Sequence, residues 1–263
     1  MLVCIKGAGD LASGIALRLH RSRMDVVMTE LPVPLAVRRT VAFSEAVRLG
    51  SAKVEDVMAE KAGSIEEVKD CLSRGVIPVV VDPEAEIIKE LEPEVVVDAI
   101  LAKKNTGTAP GDAKLVIGVG PGFTAGKDCH AVIETKRGHT LGRVITKGSA
   151  VPNTGVPGMV GGETIRRLIK APCDGTFHPE KKIGDIVKEG ERVGNVDGTP
   201  VCAQVGGKIR GLLQDGVLVT KGLKSGDVDP RGTSVDHMTV SDKALSIGGG
   251  VLEAILSYAG DRL

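Results

Sequence analysis

The chain contains almost no aromatic side chains: its 263 residues include no Trp, one Tyr and three Phe. The core must therefore be built from Val, Ile, Leu and Ala, which is typical of a buried parallel sheet. Lys and Arg together number 34, and Asp and Glu together also number 34. Nucleic-acid binding thus lacks both its electrostatic and its stacking component, and we expect no nucleic-acid partner.

Long apolar runs and paired cysteines are also missing. No apolar run approaches the ~20 residues that a membrane span requires. Asp10 interrupts the apolar start of the chain, so residues 1–6 are predicted to form a strand rather than a signal sequence. The five cysteines include no C-x-x-C pair, which excludes a sequence-local metal site and favours a reducing compartment. We expect a cytoplasmic protein with no membrane contact and no metal.

What the chain does have is glycine in informative places, beginning with a G-x-G-x-x-A turn. A strand at residues 3–5 leads into Gly7 and Gly9, and a helical pattern follows Ala12. In a dinucleotide-binding turn, Gly7 permits the bend, Gly9 admits the pyrophosphate and Ala12 allows close helix–strand packing. Glu30 ends the next strand, about 20 residues after the first glycine, where such folds bind the ribose. This spacing predicts binding of NAD or a related dinucleotide.

Asp10 allows a second interpretation of the same turn. Its carboxylate repels phosphate and competes for the amides that would bind it, so the segment is alternatively a strand-to-helix turn capped by Asp10. Arg38 and Arg39 follow the second strand. They are candidates for neutralising an anionic ligand, or simply an exposed helix face.

Apolar strands alternate with helical patterns over the first 120 residues. This alternation predicts a Rossmann-like, doubly wound parallel sheet, in which 51–74 is a helical region. Asp98 ends one of the strands, at the edge where such sheets bind ligands. We consider Asp98 a candidate for acid–base chemistry, while a carboxylate that caps the following helix is an equally good explanation.

A second glycine-rich loop follows the strand at 115–119. Its glycine spacing does not match a Walker A motif, and Asp128 stands where a magnesium-binding Ser or Thr belongs. The alternatives are an anion-binding nest of backbone amides and a tight turn between strands. Phe123 lies inside the loop, and we expect it to stack on a planar ligand rather than fill a core. The candidate ligand-binding residues here are Gly120, Gly122, Phe123 and Thr124.

Residues 171–230 contain short strands with turn glycines at regular intervals, and the segments 184–190 and 215–222 echo each other. This pattern resembles the β-barrel (barrel-sandwich) of lipoyl and biotinyl domains, although residues 195–200 lack the carrier lysine. We therefore predict a Rossmann-like nucleotide-binding domain over 1–165, completed by a C-terminal helical segment at 240–263. A lipoyl/biotinyl-like barrel over 166–235 is predicted as an insertion.

Several motifs along the whole chain together resemble one family: IKGAGDLA at 5–12, RRTVAF at 38–43, AKKN at 102–105, GVGPGFTAG at 118–126, PNTG at 152–155 and GDVDPR at 226–231. The chain resembles the YqeB-type accessory proteins of selenium-dependent molybdenum hydroxylases. The resemblance implies a role in maturation of the molybdenum-pterin and selenium centre, with the apo-hydroxylase or another maturation protein as partner. It names a pathway and supplies no catalytic residues.

Three functions remain open: an accessory protein that binds a nucleotide or a molybdopterin-type cofactor, an NAD-dependent oxidoreductase, and a non-catalytic scaffold. The oxidoreductase lacks a recognisable proton-donor constellation. If a ligand binds, we expect the carboxyl ends of the strands to form one pocket. Its predicted residues are Gly7, Gly9, Asp10 and Ala12, then Glu30, Asp98, Lys103 and Asn105, the loop Gly120 to Thr124, and Arg38 or Arg39 at the mouth.

Overall fold

A computed structural model describes residues 1–260. The chain divides into two compact units. The first comprises residues 1–34, 42–154 and the segment from Val240 onward, and the second comprises 35–41 and 155–239. The domain boundaries predicted from the sequence lay at 165/166 and 235/240, so the second unit begins earlier and also includes a short segment from the N-terminal part. The last residues of the predicted helical segment, 261–263, lie outside the described residues.

The first unit contains one large β-sheet and several α-helices. Its helices are α1 (Asp10–Arg21), α2 (Glu45–Leu49), α3 (Ile65–Ser73), α4 (Ile88–Leu91) and α5 (Asp242–Gly260). Its strands are β1 (Leu2–Lys6), β2 (Asp25–Glu30), β3 (Ser51–Val54), β4 (Val57–Ala62), β5 (Ile77–Val81), β6 (Val95–Asp98), β7 (Leu115–Val119), β8 (Thr124–Ala125), β9 (Ala131–Ile133), β10 (Val144–Ile145) and β11 (Gly148–Ser149).

Nine of these strands form one mixed sheet in the order β10-β9-β7-β6-β1-β2-β5-β4-β3. The central pairings are parallel, and the pairs β3–β4 and β9–β10 at the two edges are antiparallel. The central strands are continuous apolar runs because both faces of the sheet are covered. β1 and β6, for example, are buried from Val3 to Lys6 and from Val95 to Asp98.

The predicted Rossmann-like, doubly wound parallel sheet is wrong. The sheet is mixed rather than parallel, and no α-helix connects β6 to β7 or β7 to β9 among the described residues. The connection at 99–114 forms loops with one 3₁₀ turn at Pro110–Asp112, so regular strand–helix winding stops there. The predicted helical region at 51–74 also begins as a hairpin, β3 and β4, in which Val57, Ala59 and Ala62 are buried.

The second unit contains two four-stranded antiparallel sheets, ordered β12-β19-β17-β14 and β16-β15-β13-β18. Its strands are β12 (Leu168–Lys170), β13 (Gly175–Pro179), β14 (Ile186–Val187), β15 (Arg192–Val196), β16 (Thr199–Cys202), β17 (Gly207–Leu212), β18 (Val217–Val219) and β19 (Lys224–Asp229). Both sheets contribute to a single apolar cluster, which includes Phe177, Val193, Ile209 and Val228. No strand ladder joins the two sheets within the described chain, and the predicted lipoyl/biotinyl-like β-barrel is also wrong.

The GDVDPR motif at 226–231 spans the end of β19, and its charged residues form ion pairs. Asp227 and Asp229 are almost completely buried. Arg167 and Arg210 bind Asp227, and Arg210 and Arg231 bind Asp229. Buried carboxylates are strongly destabilising without such partners, so the motif supplies the two acids and one of the three arginines of a structural ion network.

Helix α5 packs closely against α1 in the first unit through small residues. A Cβ atom at Gly14 of α1 would lie 2.6 Å from the Ala244 Cβ atom of α5. A Cβ atom at Gly248 would lie 2.8 Å from the Gly14 carbonyl oxygen. Glycine is therefore required on both helices for this approach, although it costs about 1 kcal/mol of helix propensity relative to Ala.

We expect Gly14→Ala to destabilise the protein by about 1–3 kcal/mol, because the added methyl group overpacks the helix contact. Gly249→Ala is the matched control, since a Cβ atom there meets nothing within 4 Å. The control should be neutral or stabilising by up to about 1 kcal/mol. Urea unfolding of both variants measures the difference, and equal stabilities would contradict the close helix contact.

Candidate functional site

The candidate site lies where β1, β2, β6 and β7 end together. Lys6 at the end of β1 is paired in register with Thr29 of β2 and with Asp98 of β6, and Asp98 is paired with Gly118 of β7. Because these strands are parallel neighbours, the segments that follow them emerge at one edge of the sheet. The glycine turn, Glu30, Asp98 and the Gly120 loop therefore share this carboxyl edge.

The first glycine turn is held by hydrogen bonds from several directions. Gly7 has φ +95°, and a Cβ atom there would crowd the backbone of Ala99 and Ile100. The Ala8 carbonyl accepts hydrogen bonds from the Ser44 amide, at 2.9 Å, and from the Ser13 hydroxyl, at 3.2 Å. The turn is thus a fixed element rather than a mobile loop.

Helix α1 starts directly after this turn. Gly9 is its N-cap residue, in extended backbone and without a side-chain cap, and Asp10 is the first helical residue. The alternative in which Asp10 caps the helix is therefore wrong. A Cβ atom at Gly9 would meet no other atom within 4 Å, whereas Ala12 is 1% exposed. The space in front of Gly9 is open at the positive end of the helix dipole.

Glu30 lies against the turn but is already engaged by backbone amides. One carboxylate oxygen accepts the Ala8 N–H at 3.0 Å, and the other accepts the Leu31 N–H at 2.7 Å. Burial raises the pKa of Glu30, and these two N–H donors offset that effect only in part. The residue predicted to bind a ribose therefore holds the glycine turn in this structure.

A chain of three buried polar side chains connects β1 to the loop after β6. The Lys6 ammonium donates to the Thr108 hydroxyl at 2.8 Å, and that hydroxyl donates to the Asp98 carboxylate at 2.7 Å. Lys6, Thr108 and Asp98 are 6%, 3% and 2% exposed. The second Asp98 oxygen accepts the Ile100 N–H. Asp98 is thus shielded and accepts a hydrogen bond on each oxygen, and it does not cap a helix.

Asn105 sets the position of Thr108 in this chain. Its amide donates to the Thr108 carbonyl at 2.7 Å, and its carbonyl accepts the N–H groups of Gly107 and Thr108. Leu101 and Lys103 in the same loop have positive φ angles of 61° and 63°. Non-glycine residues in this conformation are uncommon and are enriched at functional sites.

The Gly120 loop contacts the segment that contains Lys103. A Cβ atom at Gly122, where φ is +115°, would lie 2.7 Å from the Lys104 nitrogen, and one at Gly120 would lie 2.9 Å from the Thr135 hydroxyl. The Thr124 N–H donates to Asp128 at 2.8 Å, and its hydroxyl is 2.9 Å from that of Ser149. Because Asp128 occupies this amide, the tight-turn interpretation describes Thr124 better than an open anion nest does.

Phe123 belongs to the core, so the expectation that it stacks on a planar ligand is wrong. It is 4% exposed and packs in a cluster with Cys4, Val96 and Val132. Gly118 of β7 makes this possible, because a Cβ atom there would collide with the Phe123 ring. The Phe123 ring packs on β7 in the space that a side chain at position 118 would fill.

Arg38 and Arg39 belong to the second unit. The Arg38 guanidinium lies 3.5 Å from the Thr239 carbonyl, and the Arg39 Nε donates to the Leu212 carbonyl at 2.8 Å. Both side chains therefore bind backbone carbonyl groups of their own unit.

An open cavity of about 840 Å³ lies beside the buried chain of polar residues. Lys6 and Gly107 line it, together with the segments 84–93 and 111–114. Sequence reasoning missed this cavity and the roles of Lys6 and Thr108. The sequence feature that pointed to Lys6 is its position as a charged residue at the end of an otherwise apolar strand.

Two further carboxylates at the same sheet edge were also missed. Glu134, which follows β9 and is 3% exposed, accepts the N–H groups of Thr135, Lys136 and Val151. Asp82, which follows β5, accepts the Ile87 N–H at 2.8 Å.

No group of His, Cys, Asp or Glu suited to hold a metal occurs within residues 1–260. Over the same residues, no helix has both the length and the apolar character needed to cross a membrane.

Comparison with known proteins gives one sequence relative of note. The chain is 52% identical over 255 residues to the uncharacterized protein YqeB of Escherichia coli (strain K12). The match covers 97% of this chain and 47% of that protein, so the chain spans about half the length of the curated relative it matches. The chain is therefore a homologue of part of YqeB. No model of a known protein family matches it.

Solved structures give only weak likenesses. An aspartoacylase family protein from Mesorhizobium loti is 15% identical and covers 86% of this chain and 84% of its own, with a TM-score of 0.27. The product-bound ectoine utilization protein EutE (DoeB) from Ruegeria pomeroyi is 10% identical with the same coverage and a TM-score of 0.26. Scores this low do not establish a shared fold and carry no argument about function.

The raised pKa of Glu30 makes a prediction about stability. The folded state binds the Glu30 proton more tightly than the unfolded chain, whose ordinary pKa is 4.5. The stabilisation from protonated Glu30 is fully present below pH 4.5 and is lost as pH rises through the raised pKa. The free energy of unfolding of wild type, relative to Glu30→Gln, should therefore fall over that interval. Urea unfolding at several pH values measures this, and a relative stability that rises with pH would contradict it.

Proposed function

We propose that the first unit binds a phosphate-bearing cofactor, either a nucleotide or a molybdopterin-type cofactor, at the carboxyl edge of its sheet. We further propose that the protein acts in maturation of a selenium-dependent molybdenum hydroxylase. The pathway rests on the motif resemblance, since YqeB itself is uncharacterized. The partner in this proposal is the apo-hydroxylase or another maturation protein.

The open space in front of Gly9 is the observation that carries the binding proposal. Gly9 presents backbone without a Cβ atom, at the start of a 12-residue helix that has no side-chain cap. The first N–H groups of a helix lack partners within the helix and favour anions. The surrounding turn is fixed by Glu30, Ser13 and Ser44, so a ligand would meet a preorganised backbone.

The contacts of Glu30 and Asp98 favour an accessory role over an NAD-dependent oxidoreductase. Both Glu30 oxygens accept backbone N–H groups, so pairing with a ribose requires exchange of an existing hydrogen bond. Asp98 is 2% exposed and accepts hydrogen bonds on both oxygens. A general acid or base must reach the proton that it transfers, and Asp98 is screened from a substrate.

We expect Gly9→Val to weaken cofactor binding at least about tenfold, because the branched side chain fills the space that a phosphate would occupy. The extended backbone of Gly9 suits valine and the added atoms meet open space, so folding should be preserved. Gly63→Val is the matched control at a loop position away from the turn. Calorimetry with NAD, NADP and FAD measures nucleotide binding. Ultraviolet absorbance of the purified protein reports a bound pterin against the weak background of a chain without Trp.

Unimpaired binding by Gly9→Val would contradict the placement of the site at this turn. A wild-type protein that is purified without a pterin and binds none of the three nucleotides would overturn the binding proposal. That second outcome would favour the non-catalytic scaffold, in which both glycine loops serve only as turns.

A further inference from the structure

Lys6 combines deep burial with an incomplete set of hydrogen bonds. Lys6 is the last residue of the central strand β1, and it is 6% exposed. The ammonium has three N–H donors, and within residues 1–260 its hydrogen-bond partner is the Thr108 hydroxyl alone. A buried charge normally has its hydrogen-bonding capacity filled. The Lys6 ammonium uses one of its three donors, and the other two are available to a ligand.

Lys6 also lines a cavity large enough for a small molecule. The cavity of about 840 Å³ that Lys6 lines is in the size range of small-molecule sites. Ala85, Ile88 and Pro93 contribute apolar surface to the lining, and Gly107 and Gly111 also line the cavity. Asp98, the countercharge of Lys6, is reached only through Thr108, and therefore leaves the ammonium free to face an anion.

Charged side chains other than Lys6 also line the cavity, and acids outnumber bases among them. Glu84, Glu86, Glu92 and Asp112 line it together with Lys89 and Lys114. Lys89 forms an ion pair with Glu86, and Asp112 accepts the Ala109 N–H. Glu84 and Glu92 remain as acceptors, and Lys114 remains as a second cation. The complementary ligand presents an anionic oxygen group to Lys6 and N–H donors or an amine to these two carboxylates.

We propose that this cavity is a binding site for a small zwitterionic or amphoteric molecule, whose phosphate or carboxylate is bound by Lys6. The site is separate from the space in front of Gly9 and goes beyond the proposed cofactor site. Its failure would leave that proposal standing, because neither depends on the other's ligand. Thr108 and Asn105 act here as positioning residues, which fix the lysine side chain and the loop beside it.

The test uses two pairs of probes on the full chain. O-phosphoethanolamine and β-alanine carry an ammonium group with a phosphate or a carboxylate, and ethyl phosphate and propionate lack the ammonium group. Ligand-observed NMR titration gives the dissociation constants. We expect the zwitterions to bind more tightly than their partners, and the tighter zwitterion identifies the anionic group.

Two variants distinguish this site from nonspecific binding. Lys6→Met should weaken binding about tenfold or more, because it removes the charged donor. Since Lys6→Met also disturbs Asp98, Gly111→Trp provides a second, independent test. Gly111 lines the cavity and a Cβ atom there meets nothing within 4 Å, so the indole is expected to fill cavity space and to abolish binding. Lys53→Met, at an exposed position of β3 outside the cavity lining, is the control and should retain the affinity.

Binding that is lost in both Lys6→Met and Gly111→Trp would support the site. Absence of binding by all four probes at millimolar concentration would overturn it. Binding that survives Gly111→Trp would also overturn it, because the probe would then occupy another part of the protein.

Discussion

The first unit depends on how a lysine is accommodated at the end of its central strand. The Lys6 ammonium cannot be buried without a countercharge, and the sheet supplies one on the neighbouring strand at Asp98. The two groups do not pair directly but share the hydroxyl of Thr108, whose loop is shaped by Asn105. One buried charge thus determines the course of the connection from β6 to β7, and with it the wall of the adjacent cavity.

Carboxylates at strand ends extend the same principle along the sheet. Glu30, Asp82, Asp98 and Glu134 each follow or end a strand, and each accepts N–H groups from the segment beyond it. Loops leave backbone donors without partners, and a carboxylate satisfies them more strongly than a neutral acceptor does. This use of acidic residues fixes the loops at the carboxyl edge.

The sequence indicated the central strands, the glycine turn and the segments at the strand ends, because these depend on local patterns. It could not indicate that 51–62 forms a hairpin or that the edges are antiparallel, since these follow from pairing between distant segments. The likeness of 171–230 to a lipoyl-type barrel failed for the same reason. Phe123 was misassigned because its environment depends on Gly118, five residues earlier on the strand that its ring covers. Burial of Lys6 is likewise invisible until β6 and Thr108 are in place.

The central claim is that Lys6 and Asp98 are coupled through Thr108, and a double-mutant cycle tests it most directly. Lys6→Met, Asp98→Asn and the double variant are compared with wild type by urea unfolding. We predict an interaction free energy of about 1–3 kcal/mol, because removing either charge leaves the other buried without its countercharge. The same cycle between Lys6 and Glu66, on the exposed start of α3, should give a value close to zero. Additive effects of Lys6→Met and Asp98→Asn would contradict the account.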